Sequence, residues 1–325
     1  MRRREFITVL GGVATAWPLA LLAQTTPKTL RLGMVSHNPR TAPFTVSFER
    51  RLRELGYVEG QNLVIEFIDT RGQVSRIEEG MREVVRRNVD IILAGGPEVS
   101  LKSALAATST LPIVMIAIDY DPFALGYVKS LARPGGQVTG IYFQQTELAA
   151  KRLQLIKEAL PGLKAATAFW DRFSVDQWGA MRTAALGLDL QLVGIDLGDQ
   201  PYDYAKAIGH APQDYRSALL VVSSPAVFRD RQRLAEFALT HRIATMLAWR
   251  EHVDVGGLMS YGASVTLLYK RAAEIVDRIA QGTTPAELPI ELPTKFELLV
   301  NLKTAKTLGL TIPESFLARA DEVIE

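Results

Sequence analysis

Short apolar, β-branched runs recur along the chain, and segments of helical periodicity separate them. In the first half these runs cover residues 30–35, 63–67, 91–94 and 113–118. Between the second and third runs, Val74, Ile77, Met81 and Val84 follow the spacing of a helix with one apolar face. This strand–helix alternation predicts right-handed crossovers and a parallel sheet covered by helices on both faces.

The same alternation restarts in the second half, with apolar runs at 165–169, 190–195, 219–222 and 243–248. Two such series in a chain of 325 residues predict two α/β lobes of similar build. Beyond them, residues 256–262 predict another strand, and a connector containing Pro285, Pro289 and Pro293 leads to a further run at 296–300. A chain that passes more than once between the lobes would make a multi-strand hinge. A plain two-domain enzyme with a C-terminal extension is the alternative.

The predicted division places residues 29–141 plus 252–285 in lobe 1, and residues 142–251 plus 286–325 in lobe 2. Residues 1–23 are predicted to be an export signal, because three arginines precede an apolar stretch from position 6 to position 23. The segment from Arg3 to Ile7 resembles the twin-arginine export motif. These features predict a periplasmic protein, with an uncleaved membrane anchor as the alternative.

Composition narrows the possible functions. The chain has no cysteine, which excludes disulfides, thiol catalysis, cysteine-ligated metals and a lipid-attached cysteine. Its formal net charge is +2, and its basic residues do not form a single run, so we expect no nucleic-acid partner. The four histidines lack metal-ligand spacing, and we expect no metal site.

Two predicted strands end in matching turns of two small residues followed by proline. "DIILAGGPEVS" (90–100) contains Gly95, Gly96 and Pro97, and "ALLVVSSPAVF" (218–228) contains Ser223 and Ser224. In open parallel sheets, ligands bind beyond the carboxyl ends of the strands. Two facing lobes with such ends would form one cleft. The two phosphate-binding fingerprints, GxGxxG and GxxxxGK followed by Ser or Thr, are both absent from the predicted strand ends. We therefore expect no nucleotide and no other cofactor.

Several longer segments carry a resemblance to a known family. They are "LRELGYVEGQNLVIEF" (52–67), "AGGP" (94–97), "DPFALGYVKSLARPGGQVTG" (121–140), "GGLMSYG" (256–262) and "LPTKFELLVNLKTAKTLGLTIP" (292–313). The chain resembles the ABC transporter substrate-binding proteins, in the group with tryptophan- and other aromatic-amino-acid-binding members. That resemblance implies a type I periplasmic-binding fold: two Rossmann-like α/β lobes, three crossing strands and a ligand enclosed between the lobes. It also implies delivery of the ligand to an ABC permease in the membrane. The missing lipobox cysteine departs from the family's lipoprotein members.

We expect ligand contacts at the strand ends that face the hinge. Backbone and hydroxyl donors there would hold a carboxylate, an Asp would pair with an ammonium group, and the aromatic rings would enclose an apolar side chain. The candidate residues are Ser36, His37, Gly95, Gly96, Pro97, Asp119, Asp121, Tyr142, Trp170, Asp171, Ser174, Ser223, Ser224, Trp249 and Tyr261.

Some candidates have a purely structural alternative. Asp121 precedes a proline and is equally suited to cap the next helix. Tyr261 and the tryptophans are residue types that often pack in a core, and His37 lies in a polar turn that would ordinarily be solvated. The arginine-rich segments 50–53 and 229–233 fit either solvated helix faces or a surface that meets a permease.

The sequence therefore predicts a non-enzymatic, monomeric binding protein for a small carboxylate-bearing solute, with an amino acid as the expected ligand. The alternatives are an exported α/β enzyme and the ligand-sensing input of a signalling system. The enzyme alternative lacks a GxSxG elbow, an HExxH motif and a cysteine nucleophile. The sensor alternative lacks a DNA-binding or transmembrane output segment within this sequence.

Overall fold

The computed structural model describes residues 29–143 and 145–325. The expected export signal at 1–23 lies outside the described residues. Within the described part of the chain, every helix is too short or too polar to cross a membrane.

The first lobe is built on a five-stranded sheet in the order β2-β1-β3-β4-β5, in which all neighbouring strands are parallel. Helices cover both faces, because the strands are apolar on both sides. Its elements up to the first crossing are β1 (Leu30–Ser36), α1 (Pro43–Glu54), β2 (Leu63–Asp69), α2 (Ser75–Arg86), β3 (Ile91–Gly96), α3 (Glu98–Ala107), β4 (Ile113–Ile118) and β5 (Val138–Phe143).

The second lobe is built on a seven-stranded sheet in the order β12-β11-β10-β9-β8-β6-β7. The elements that follow β5, in chain order, are α4 (Thr146–Ala159), β6 (Ala165–Trp170), α5 (Val175–Leu186), β7 (Gln191–Asp196), α6 (Tyr204–Gly209), β8 (Ala218–Val221), α7 (Pro225–Arg229), α8 (Arg231–Thr240), β9 (Ala244–Leu247), α9 (Arg250–Asp254), β10 (Met259–Ala263), α10 (Val265–Ala280), β11 (Phe296–Asn301), α11 (Leu302–Leu308), α12 (Glu314–Leu317) and β12 (Glu322–Ile324).

In the part of the chain that the structure describes, the backbone passes between the lobes three times. The first crossing joins β5 to α4, and the second joins β10 to α10, which packs on α1 of the first lobe. The third crossing follows Glu291, which pairs with Ile141 beside β5, and leads into β11. The expected architecture of two α/β lobes joined by a three-crossing hinge is confirmed.

Two expectations from the sequence need correction, one about the lobe boundaries and one about strand direction. The segment 252–285 is split between the lobes, because β10 pairs with β9 in the second sheet while α10 packs on the first lobe. The second sheet is also not wholly parallel, since β10 and β11 are antiparallel. The reason is topological: β10 leaves the second lobe at the hinge and β11 re-enters there, so the two strands run in opposite directions.

Gly140 allows β5 to lie close to β4 beside the hinge. Its φ is +140°, which L side chains rarely adopt, and a Cβ at this position would lie 2.0 Å from the Met115 carbonyl oxygen.

We expect Gly140→Ala to lower the free energy of unfolding by about 2–4 kcal/mol, from backbone strain and overpacking together. Urea unfolding measures the effect. Gly136→Ala is the control, since a Cβ there meets no atom within 4 Å, and equal stability of the two variants would contradict this account.

Candidate functional site

A cavity of about 680 Å³ lies between the lobes, at the carboxyl ends of the strands. Its walls include the residues that follow β1, β3 and β4 in the first lobe and β6, β8 and β9 in the second. Both matched strand ends therefore face the same space. This is the position at which open α/β sheets bind ligands.

Most of the candidate ligand residues lie on the wall of this cavity. Those in the wall are Ser36, His37, Gly95, Gly96, Pro97, Asp119, Asp121, Ser174, Ser223, Ser224 and Trp249.

Four candidates lie outside the cavity wall and pack against or hydrogen-bond to other parts of the protein. Tyr142 packs edge-on against Phe123, with ring centroids 5.6 Å apart. The Asp171 carboxylate is buried and accepts a hydrogen bond of 2.8 Å from the hydroxyl of a neighbouring tyrosine. Trp170 packs against the core of the second lobe, and Tyr261 packs between the two cores. The structural alternative applies to Trp170 and Tyr261, because their strands direct these rings into packed layers.

The turn after β3 is shaped by two glycines with different roles. A Cβ on Gly95 would lie 2.4 Å from the Tyr269 hydroxyl, so this glycine makes room for a ring of α10. Gly96 has a φ of +106°, and the position of its missing Cβ is open space. The close approach of a ligand to the backbone is therefore possible at Gly96, whereas Gly95 is occupied by protein.

The turn after β8 is largely satisfied by the protein itself. The Gln177 amide accepts a hydrogen bond from the Ser223 N–H at 3.0 Å and donates one to the Ser223 carbonyl at 2.9 Å. The Ser224 hydroxyl caps α7 by accepting a hydrogen bond from the Val227 N–H at 3.1 Å. These two residues shape the wall, but most of the donors expected there are already used.

One part of the cavity wall is aromatic. We call Phe44, Phe228, Trp249 and Tyr269 the aromatic wall. The ring centroids of Phe44 and Tyr269 are 4.5 Å apart, and those of Phe44 and Phe228 are 5.3 Å apart. Because these rings come from both lobes and are buried, they offer an apolar surface that is completed only when the lobes meet.

Another part of the wall carries buried polar atoms that have no hydrogen-bond partner among residues 29–143 and 145–325. They are Nε2 of His37, Oδ1 of Asn38 and the hydroxyl of Tyr120. The imidazole of His37 is held neutral, because burial, with the nearby guanidinium groups of Arg172 and Arg229, lowers its pKa to about 4. Unpartnered buried polar groups are costly, so these atoms are suited to hydrogen bonds with a polar ligand.

Charged groups complete the wall. Arg172 lines the cavity, and its guanidinium lies 3.9 Å from its ion-pair partner, the exposed carboxylate of Asp199. The Asp121 carboxylate accepts hydrogen bonds from the N–H groups of residues 123 and 124, so it caps the following turn while lining the cavity. Arg172 is therefore suited to a ligand carboxylate, and Asp121 to a ligand ammonium group.

Asp119 joins the cavity to the hinge. Its half-buried carboxylate accepts hydrogen bonds of 3.0 Å from the Gln145 N–H and from the Gln177 side-chain amide. Burial raises the pKa of Asp119 to about 8, against the opposing effects of the Gln145 hydrogen bond and the Arg152 guanidinium. A cationic group nearby would favour the ionised carboxylate.

Sequence reasoning missed several lining residues. Phe44 and Tyr269 lie on helices whose apolar faces look like ordinary core, and Phe228 follows the second matched turn. Arg172 is adjacent to the candidate Asp171, and Gln177 is three positions after the candidate Ser174. The arginine-rich segment 229–233 is also more than a solvated face, since Arg229 contacts the other lobe.

The family is decided by a comparison over nearly the whole described chain. Residues 32–324 match the family model described as ABC transporter substrate binding protein. The chain belongs to this family. This substrate-binding protein is 24% identical over 294 residues to a tyrosine-binding protein of Clostridioides difficile (strain R20291), covering 87% of this chain and 81% of the relative.

Solved structures are similar in fold. A conserved domain protein from Vibrio cholerae has a TM-score of 0.78 and 23% identity, covering 91% of this chain and all of that chain. An ABC domain from Streptococcus pneumonia in complex with L-Trp has a TM-score of 0.76 and 23% identity, with the same coverage. The fold of this substrate-binding protein is that of the type I periplasmic binding proteins.

The buried imidazole of His37 predicts a pH dependence of stability. Its folded pKa lies below its ordinary value, so the unfolded state binds a proton first as the pH falls from about 6.5 to about 4. Relative to His37→Gln, the free energy of unfolding of the parent should fall in this window by up to about 1.4 kcal/mol per pH unit. Urea unfolding at pH 7 and pH 5 tests this, and parallel pH profiles for the two proteins would refute it.

Proposed function

We propose that this substrate-binding protein captures an amino acid with an aromatic or large apolar side chain between its lobes. The observation that carries the proposal is the division of one inter-lobe cavity into an aromatic wall and a set of unpartnered or charged polar groups. An amino acid has the same division, with a zwitterionic head and an apolar side chain. The relatives described as tyrosine-binding and as bound to L-Trp support the same class of ligand.

The contacts suggest an orientation for the ligand. The side chain lies against the aromatic wall, where ring stacking and exclusion of water stabilise it. The carboxylate pairs with Arg172, and His37 and Asn38 offer polar atoms to the head group. The ammonium group lies towards the carboxylates of Asp119 and Asp121.

Release of the ligand would require the lobes to separate, which links binding to a change of shape. The family supports a role as the soluble receptor of an ABC importer, with a membrane permease as the partner that recognises the closed form. The export-signal pattern at the N-terminus supports a periplasmic location.

Thermal unfolding with a panel of amino acids tests the ligand class. The protein is first unfolded and refolded to remove bound solute, and each compound is added separately. A ligand at 100 times its dissociation constant adds about 2.7 kcal/mol to the free energy of unfolding. We expect L-tyrosine, L-tryptophan or L-phenylalanine to raise the unfolding temperature, and small polar amino acids to leave it unchanged.

A pair of variants at one position locates the binding. Ser224→Trp places a large ring at the cavity wall and should abolish the thermal shift. Ser224→Ala also loses the α7 cap but leaves the cavity open, so it should retain the shift on a less stable protein. A shift that survives in Ser224→Trp would place binding elsewhere, and a shift from no amino acid would contradict the proposed ligand class.

A further inference from the structure

The Arg229 side chain connects the two lobes at the side of the cleft away from the hinge. Arg229 is the last residue of α7 in the second lobe. Its Nη1 atom donates a hydrogen bond of 2.5 Å to the His37 carbonyl oxygen and lies 3.4 Å from an oxygen of Asp69, both in the first lobe. We call this set of contacts the Arg229 bridge.

The position of the bridge makes it sensitive to closure. The first and third crossings lie beside β5, whereas His37 and Asp69 lie at the ends of β1 and β2, three and four strands away in the same sheet. At about 4.8 Å per strand this is a lever arm of about 14–19 Å, so each 10° of opening moves the facing atoms apart by about 2–3 Å. A small rotation therefore breaks these contacts.

The chemistry of the bridge favours a contact that is strong when the lobes meet and is replaced by water when they separate. A guanidinium that donates to a carbonyl and faces a carboxylate makes a charge-assisted interaction. The side chains of Arg229 and Asp69 are 30% and 29% exposed, so water reaches both readily when the lobes separate. Arg229 also follows directly from the Ser224 turn through the five-residue helix α7, which ties its position to the cavity wall.

We propose that the Arg229 bridge is a closure latch, which stabilises the closed form and sets how long the ligand stays bound. The proposal rests on the proposed function for its effect on ligand, but not for its effect on the shape of the protein. Arg229 is a positioning residue in this role, because it is not among the residues that line the cavity.

The shape of the ligand-free protein gives the first test. The chain has no cysteine, so Lys102→Cys on α3 and Arg182→Cys on α5 introduce one labelling site on the exposed surface of each lobe. Electron–electron double resonance between spin labels at these sites measures the separation of the lobes. We expect Arg229→Gln to move the distance distribution to longer values, and Asp69→Asn to do so to a smaller extent.

The control is Arg233→Gln, which removes an ion pair to Asp230 within the second lobe only. Its distance distribution should match that of the parent. A parent-like distribution for Arg229→Gln, or the same lengthening in Arg233→Gln, would overturn the latch.

Ligand kinetics give the second test, with L-tyrosine and L-tryptophan as probes. In stopped-flow displacement, Arg229→Gln should release the bound probe roughly tenfold faster than the parent, with the association rate changed much less. Unchanged dissociation from Arg229→Gln would overturn the latch. If neither probe binds any variant, the proposed ligand class fails, while the distance measurement on ligand-free protein still decides the latch.

Discussion

The structure depends on one buried guanidinium at the hinge. Arg152 of α4 is fully buried, and it donates a hydrogen bond of 2.6 Å to the Tyr261 carbonyl of β10 and another to the Gln145 side chain. Burial lowers the pKa of Arg152 to about 10, and the favourable interaction with Asp119 opposes this effect. A buried charge of this kind is tolerated only while its partners stay in place. Arg152 therefore holds the end of β4, the start of α4 and β10 in fixed positions relative to one another.

The site follows from that arrangement. Asp119 connects the hinge to Gln177, and Gln177 in turn holds the backbone of Ser223 at the second matched strand end. Cavity shape and hinge geometry are therefore parts of one hydrogen-bonded network. The aromatic wall adds the apolar component, and because its rings belong to both lobes, closing the cleft also buries apolar surface.

Much of the fold could be predicted from the sequence, because strand–helix alternation constrains the connections so strongly. The two lobes, the parallel ladders and the positions of the strand ends all follow from the spacing of apolar runs. The antiparallel entry of β11 and the split of 252–285 could not be predicted, since both depend on where the chain re-enters a lobe. The sequence places strand ends, but the direction of each side chain depends on packing.

The same limit applies to the site. Gly95 looked like an approach route for a ligand, yet the hydroxyl of Tyr269, distant in sequence, occupies the space beside it. For His37, the alternative to ligand contact was a solvated turn, and that alternative is wrong because the side chain is buried at the cavity. In both cases the deciding neighbour belongs to an element far away in the chain, and a single sequence carries no signal for that contact.

The most direct measurement is a crystal structure of the refolded protein grown with saturating L-tyrosine or L-tryptophan. We expect one amino acid in the inter-lobe cavity, with its ring against Trp249 and Phe44 and its carboxylate at Arg172. An empty cavity, or an amino acid bound only at another surface, would contradict it.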